Sequence, residues 1–308
     1  MANLLDEASI LLTPTAYNNG SMLAVKPENG DGDFTFSRNS AATRVNAQGL
    51  VENVQILSSN LVSNGDFSQE GANIITPIAN SDFSSDTGYW QKETGVTISG
   101  GLMNMSSTPN NQGFYKNGLI QVGKNYKVEV TISGYSEGLL DSGNANSFSF
   151  PQSNGTHAVY FTGANTSLSF AANGTTTLSI DNISVKEVGQ DWSLNNGAAI
   201  AEDKATIIGD GSVFGYVEQL STFVSGKKYK VTLDAIINSG GGLVVKYALG
   251  FSDNIGSITT SGSYTFYYTA GVSGSIIIGR STGGVAYNSS VTNISVIEIT
   301  DDTNLPRI

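Results

Sequence analysis

An internal duplication constrains this chain more than any other feature. Asn182-Ile183-Ser184-Val185 recurs letter for letter as Asn293-Ile294-Ser295-Val296. In the surrounding stretches, Thr177–Val188 and Ser290–Ile299, apolar and polar residues alternate, as in a strand with one face to a core and one to water. More landmarks precede each copy in the same order. The run from Gly155 to Thr162 answers the run from Gly262 to Thr269, and Val122-Gly123-Lys124-Asn125-Tyr126-Lys127-Val128 answers Val224-Ser225-Gly226-Lys227-Lys228-Tyr229-Lys230-Val231. Each copy opens on one of the chain's two tryptophans, Trp90 and Trp192. A repeat of that length is one sandwich-sized domain, not a solenoid unit.

Composition points the same way. Of 308 residues 36 are Gly, and only 13% are charged. Ser, Thr and Asn fill the gap, and all of these are weak helix formers in a helix interior. The expected fold is all-β: a small N-terminal β-rich segment over 1–58, β-sandwiches over 59–188 and 189–300, and a tail over 301–308. The formal net charge is −11, and the 15 Lys and Arg are scattered. Nucleic acid and anionic membrane surfaces both demand clustered cations, so neither is an expected partner. With no cysteine there is no disulfide, thiolate zinc site or cysteine nucleophile. The first fifteen residues lack a basic leader, and Asp6 and Glu7 interrupt their apolar run, so no signal peptide is read there. No stretch has the apolar length of a membrane helix.

Within 1–58, Leu4–Ser9 reads as a helical turn or an extended lead-in, and Thr13-Pro14-Thr15 forbids a helix beyond it. Asn18-Asn19-Gly20 and the run from Asn29 to Asp33 are turn signals around strands at Met22–Val25 and Phe34–Phe36, and Val51–Ile56 is a further strand. The segment is too small for a core of its own.

The stretch from Leu11 to Gly20, followed by Gly30–Val54 with its Ser-Arg-Asn-Ser-Ala-Ala-Thr-Arg-Val-Asn run at 37–46, resembles an N-terminal region of tailed-bacteriophage virion proteins. The resemblance implies a tail fibre, head fibre or capsid decoration protein on the phage particle, attached to a capsid or tail protein through residues 1–58. Fibres of this kind imply a homotrimer. A segment like Asn304-Leu305-Pro306-Arg307-Ile308 leads into more chain in those proteins, which implies a short version lacking a distal domain. Asn60–Phe67, partly repeated at Asn80-Ser81-Asp82-Phe83, then Trp90, then the closing strand at 180–185, resembles carbohydrate-binding modules of the family 4/9 type. These are jelly-roll sandwiches, and they imply a host surface glycan as ligand. The second copy lacks the Asn-Gly-Asp-Phe motif before its tryptophan, which is expected to leave its first strand shortened or shared with its neighbour.

The chemistry-bearing residues are few. His157, the single histidine, falls opposite Tyr264 in the repeat, so one copy does without it, and no serine has a nucleophile-elbow context. Glu137, Asp141, Asp234 and Asp253 show no pairing pattern for glycoside hydrolysis. No enzyme is expected; the alternatives are a decoration protein without receptor binding and a non-catalytic accessory fragment of a polysaccharide depolymerase. The module resemblance implies a structural calcium at Asp181 with Asp82 or Asp66 in the first sandwich, against a turn aspartate bonding its own backbone. Thr292 takes the place of Asp181 in the second. Tyr264, Phe266 and Tyr268 share one strand face, with Tyr267 on the other; Tyr264 and Tyr268 are the glycan-contact candidates, against core or interface packing. The equivalent positions of Trp90 and Trp192 favour core. Gly240-Gly241-Gly242 and Gly283-Gly284 lack phosphate-loop spacing and read as tight turns.

Overall fold

The computed structural model describes residues 58–248, 254–281 and 283–299 with their side chains, and elsewhere the backbone of named strands. Apart from a 3-10 turn at Ile78–Asn80, every regular element among the described residues is a strand. In the N-terminal part Leu11–Asn18 pairs with Ser21–Lys26, which pairs with Phe34–Thr35, and Thr43–Val45 pairs with Val51–Asn53. These cover the expected strands at Met22–Val25 and Phe34–Phe36 in large part. Leu4–Ser9 and Asn304–Ile308 lie outside the described residues.

The first sandwich is built on two long strands, Asn125–Asp141 and Leu168–Val188, each of which crosses from one layer to the other. Their outer halves join Gly155–Thr162 on one side and Leu102–Thr108 with Val96–Ser99 on the other. Their inner halves join Gly113–Lys116 and Gln91–Lys92. Pairing breaks register around Glu137, where Gly134 and Gly138 take φ of 58° and 82°. Glycine accepts that left-handed backbone without a Cβ clash, which is what lets one strand turn a sheet corner.

In the second sandwich the same layers are made of separate strands. One sheet runs Ala198–Ala201, Lys204–Gly209, Tyr287–Asp301, Lys228–Ser239, Gly262–Thr269. The other runs Ser193–Asn195, Tyr216–Phe223, Gly274–Arg280, Leu243–Lys246, Asn254–Ile258. Alternation sends Val217, Ile276, Ile278, Leu243 and Val245 inward, facing Val231, Leu233, Ile294 and Val296 of the first sheet. The first sandwich fills its core with aromatics: Phe114 and Phe170 stack at 4.9 Å, and Trp90 meets Phe114 edge-on at 5.3 Å. Both tryptophans are buried, as their repeat positions predict.

The chain divides differently from the expected boundary at 59. Gln55–Asn60 pairs with Tyr287–Asp301, the last strand of the second sandwich. Val62 and Phe67 lie in the second core, where the Phe67 ring packs 5.1 Å from Trp192. The motif Asn60–Phe67, which follows the strand Gln55–Asn60, therefore forms the opening segment of the second sandwich, and the first sandwich has its own in Asn73–Phe83. Hydrogen bonding proves the equivalence. The Asn73 amide oxygen accepts from the Ile75 and Val185 backbone N–H groups, and that of Asn60 accepts from Val62 and Val296. The Trp90 indole donates to the Asn80 carbonyl, and the Trp192 indole to those of Ser63 and Asn64. The first sandwich is inserted between the first strand and the remainder of the second. The second copy lacks an Asn-Gly-Asp-Phe motif before its tryptophan because that motif lies ahead of the insertion.

Candidate binding face

The outward face of the second sandwich's Tyr216–Phe223 sheet gathers the side chains best suited to a ligand. Because Val217, Ile278 and Val245 point inward, their neighbours Tyr216, Glu218, Ile277, Gly279, Val244 and Lys246 point out. Register places Tyr216, Gly279 and Val244 in one row across the sheet, and Glu218, Ile277 and Lys246 in the next. Val244 and Ile277 are 3% and 0% exposed, although on the outer face, so taller neighbours wall them in.

Phe214 forms part of that wall. A Cβ at Gly279 would sit 2.6 Å from the Phe214 ring, so glycine is what allows the ring to lie across the sheet. Phe214 stacks on Tyr216 at 5.2 Å and 26°, and the Lys246 ammonium stands 5.7 Å from the Phe214 centroid. On the far side the Arg280 guanidinium lies over the Tyr287 ring at 5.8 Å. Phe214, Val244, Lys246, Asn254, Ser257 and Arg280 line a cleft of about 270 Å³. An aromatic ring, an apolar floor and converging amide, hydroxyl and cationic donors make up the ordinary anatomy of a small-ligand site. Burial pushes the Tyr216 hydroxyl up and Glu218 beside it adds to this, so the phenol stays neutral at physiological pH.

A larger hollow of about 430 Å³ lies beside the first strand, along Leu61, Ser63, Trp192 and Leu220. Its polar groups hold the seam together: the Gln219 amide donates to the Ser63 and Asp191 carbonyls and accepts from the Ser63 N–H.

The residues singled out from sequence fall elsewhere. Tyr264, Phe266 and Tyr268 pack against the second core; Tyr268 stacks on Tyr247 at 5.4 Å, and the Tyr264 hydroxyl donates to the Thr260 carbonyl. Tyr264 and Tyr268 are thus half-buried against the core, on the other sheet from the cleft. His157 is half-buried, its Nε2 2.9 Å from the Ser153 carbonyl. Glu137 accepts from the Thr177 hydroxyl, and Asp141 from the Gly143 N–H and the Asn173 amide. Asp253 lies outside the described residues.

Asp82 accepts from the Ser84 N–H, and Asp66 from the Ser68 hydroxyl and then its N–H, which holds both carboxyls below the usual range. Asp181 accepts from the Asn182 N–H and side-chain amide. Among the described residues no group of three or more acids or histidines is arranged to hold a metal. Each of the three carboxylates thus bonds its own local backbone, as a turn aspartate does.

Neither Phe214 nor Lys246 stands out in the sequence. The legible signal is Phe214-Gly215-Tyr216, two rings at strand spacing, but nothing local shows that a distant Gly279 makes room for the first.

No protein-family model matches the sequence, and no curated protein does. Among solved structures the chain is similar to the N-terminal CBM22-1–CBM22-2 tandem domain of Xyn10C from Paenibacillus barcinonensis, at 8% identity and a TM-score of 0.29, over 75% of this chain and 99% of that one.

Proposed function

We propose that this chain is a non-catalytic glycan-binding protein displayed on a tailed-phage particle, with the residues ahead of Gln55 attaching it to a capsid or tail protein. The cleft at Phe214, Lys246, Asn254 and Arg280 carries the binding reading. A pyranose ring has an apolar C–H face and an equatorial belt of hydroxyls; Phe214 suits the first, and the amide, hydroxyl and cationic groups suit the second. The volume takes one or two sugar rings, as at the end or a branch of a surface polysaccharide. The virion setting is supported by the resemblance over Leu11–Val54.

An array of bacterial surface glycans tests the binding. The full chain is expected to retain a subset, and Phe214→Ala to lose about tenfold or more in affinity, the usual consequence of truncating an aromatic anchor. Retention of no glycan, or equal retention by Phe214→Ala, would refute the site and leave a decoration role as the better reading.

A further inference from the structure

The two sandwiches meet at a joint whose two halves each have a duplicate left open elsewhere in the chain. On the first sandwich, Tyr160 of Gly155–Thr162 packs against the second core, beside the Glu202 backbone and the Asp203 carboxylate. What receives it is the hairpin Ala198–Ala201 to Lys204–Gly209, whose turn residues Glu202 and Asp203 take φ of 51° and 55°. The duplication supplies a second copy of each half. Tyr267 is the counterpart of Tyr160, and it is 67% exposed. The hairpin's counterpart is Val96–Ser99 to Leu102–Thr108, with Gly100 and Gly101 at φ of 63° and 75° in the turn. A Cβ built on either glycine meets nothing within 4 Å, so this turn stands clear.

The differences between the copies are complementary. In the joint that is made, the tyrosine face carries Lys127 and Lys186, both held by Glu70 at 2.6 and 2.7 Å, and the turn carries two acids. On the open face Lys230 still lies opposite Tyr267, but Ile297 replaces Lys186. On the open turn two glycines replace the acids. A more apolar face is matched by an uncharged turn.

We infer that a second copy of this chain seats its Ser99–Leu102 turn on the Tyr267 face of the first, repeating between molecules the joint that exists within each. Such a contact joins unlike surfaces, so it closes into a ring or extends into a chain of copies. The inference is independent of the glycan cleft, which lies on the other sheet.

Sedimentation velocity of the full chain over a concentration series tests it. Species at multiples of 32.2 kDa are expected. Tyr267→Ala and Ser99→Arg are each expected to weaken association tenfold or more, while Tyr267→Phe, which keeps the ring, assembles like the wild type. Each disruptive variant keeps one intact half, so mixing the two should give a two-chain species and nothing larger. A wild type that stays single at every concentration overturns the proposal. So does assembly that survives both substitutions, which would place the contact elsewhere, or loss in one variant only, which would unpair the turn from the tyrosine.

Discussion

At the scale of single residues, the duplication has preserved a hydrogen bond by moving one of its partners across the sheet. Asn182 and Asn293 stand at φ of 51° and 53°, in matching bulges where two residues oppose one. Asparagine tolerates that conformation better than most side chains. The bulge turns the next N–H off the ladder and onto the opening segment, from Ile183 to the Ser81 carbonyl and from Ile294 to that of Gly65, each at 2.9 Å. A carboxylate steadies each asparagine. In the first sandwich it is Asp181, opposite Thr131; in the second it is Asp234, opposite Thr292. Acid and threonine have exchanged strands, which explains why Thr292 need carry no charge. The Asn293 amide, then the Ser263 hydroxyl, hold the Asp234 carboxyl below the usual range. Its contribution is therefore complete above the unfolded carboxyl's value and is lost as pH falls through the lower folded one. Asp234→Thr should cost about 1 kcal/mol at neutral pH, typical of a partly exposed charged hydrogen bond. The gap between its urea midpoint and that of the wild type should close below about pH 4. Adding Thr292→Asp, which recreates the arrangement of the first sandwich, should restore most of the loss; a double variant as weak as the single would refute the exchange.

Between elements, what the sequence displays is local and what it conceals is order. Strand spacing around Ile183 and Ile294, the paired tryptophans and the shared Tyr-Lys-Val corner are all readable. Structure confirms their equivalence down to the bonds: Tyr126 and Tyr229 hydroxyls accept from the N–H groups of Gln121 and Val224, and Lys124–Glu187 repeats as Lys227–Glu298. Period-2 alternation could not show which face of Gly262–Thr269 meets the core, since the pattern reads the same from both sides. The first strands were misassigned for a different reason. Two such motifs, at Asn60–Phe67 and Asn73–Phe83, precede Trp90, and proximity along the chain gave both to the first sandwich. Pairing gives the earlier one to the second. A chain beginning at Ser68 should then keep a folded first sandwich and lose the second. It forfeits Val62, Phe67 and the bonds of Asn60, and removing a buried phenylalanine alone costs about 3–5 kcal/mol, a large part of a domain's margin. A chain beginning at Gln55 should keep both. Calorimetry distinguishes the cases by one transition against two, and two transitions in the shorter chain would contradict the assignment.

For the whole molecule, insertion explains how a sandwich can interrupt another without disturbing it. The visitor enters and leaves side by side: Glu70 bridges to Val188, the Gly71 N–H donates to the Glu187 carbonyl, and the Asn64 amide donates to the Gln190 carbonyl. Its two ends thus close almost no loop in the host, so removing the insert changes little of the host's chain entropy. What the host gives up is the Tyr160 contact; Val188, which covers its core, stays with it. Excising 70–187 and bridging the gap with a short glycine linker should therefore yield a second sandwich that folds alone, its midpoint lowered by a few degrees. Its Phe214 cleft, on the sheet remote from the insert, should keep whatever glycan affinity the full chain shows. Failure of this excised chain to fold, while the full chain shows separate transitions, would mean that the insert props its host open to folding and is no mere passenger.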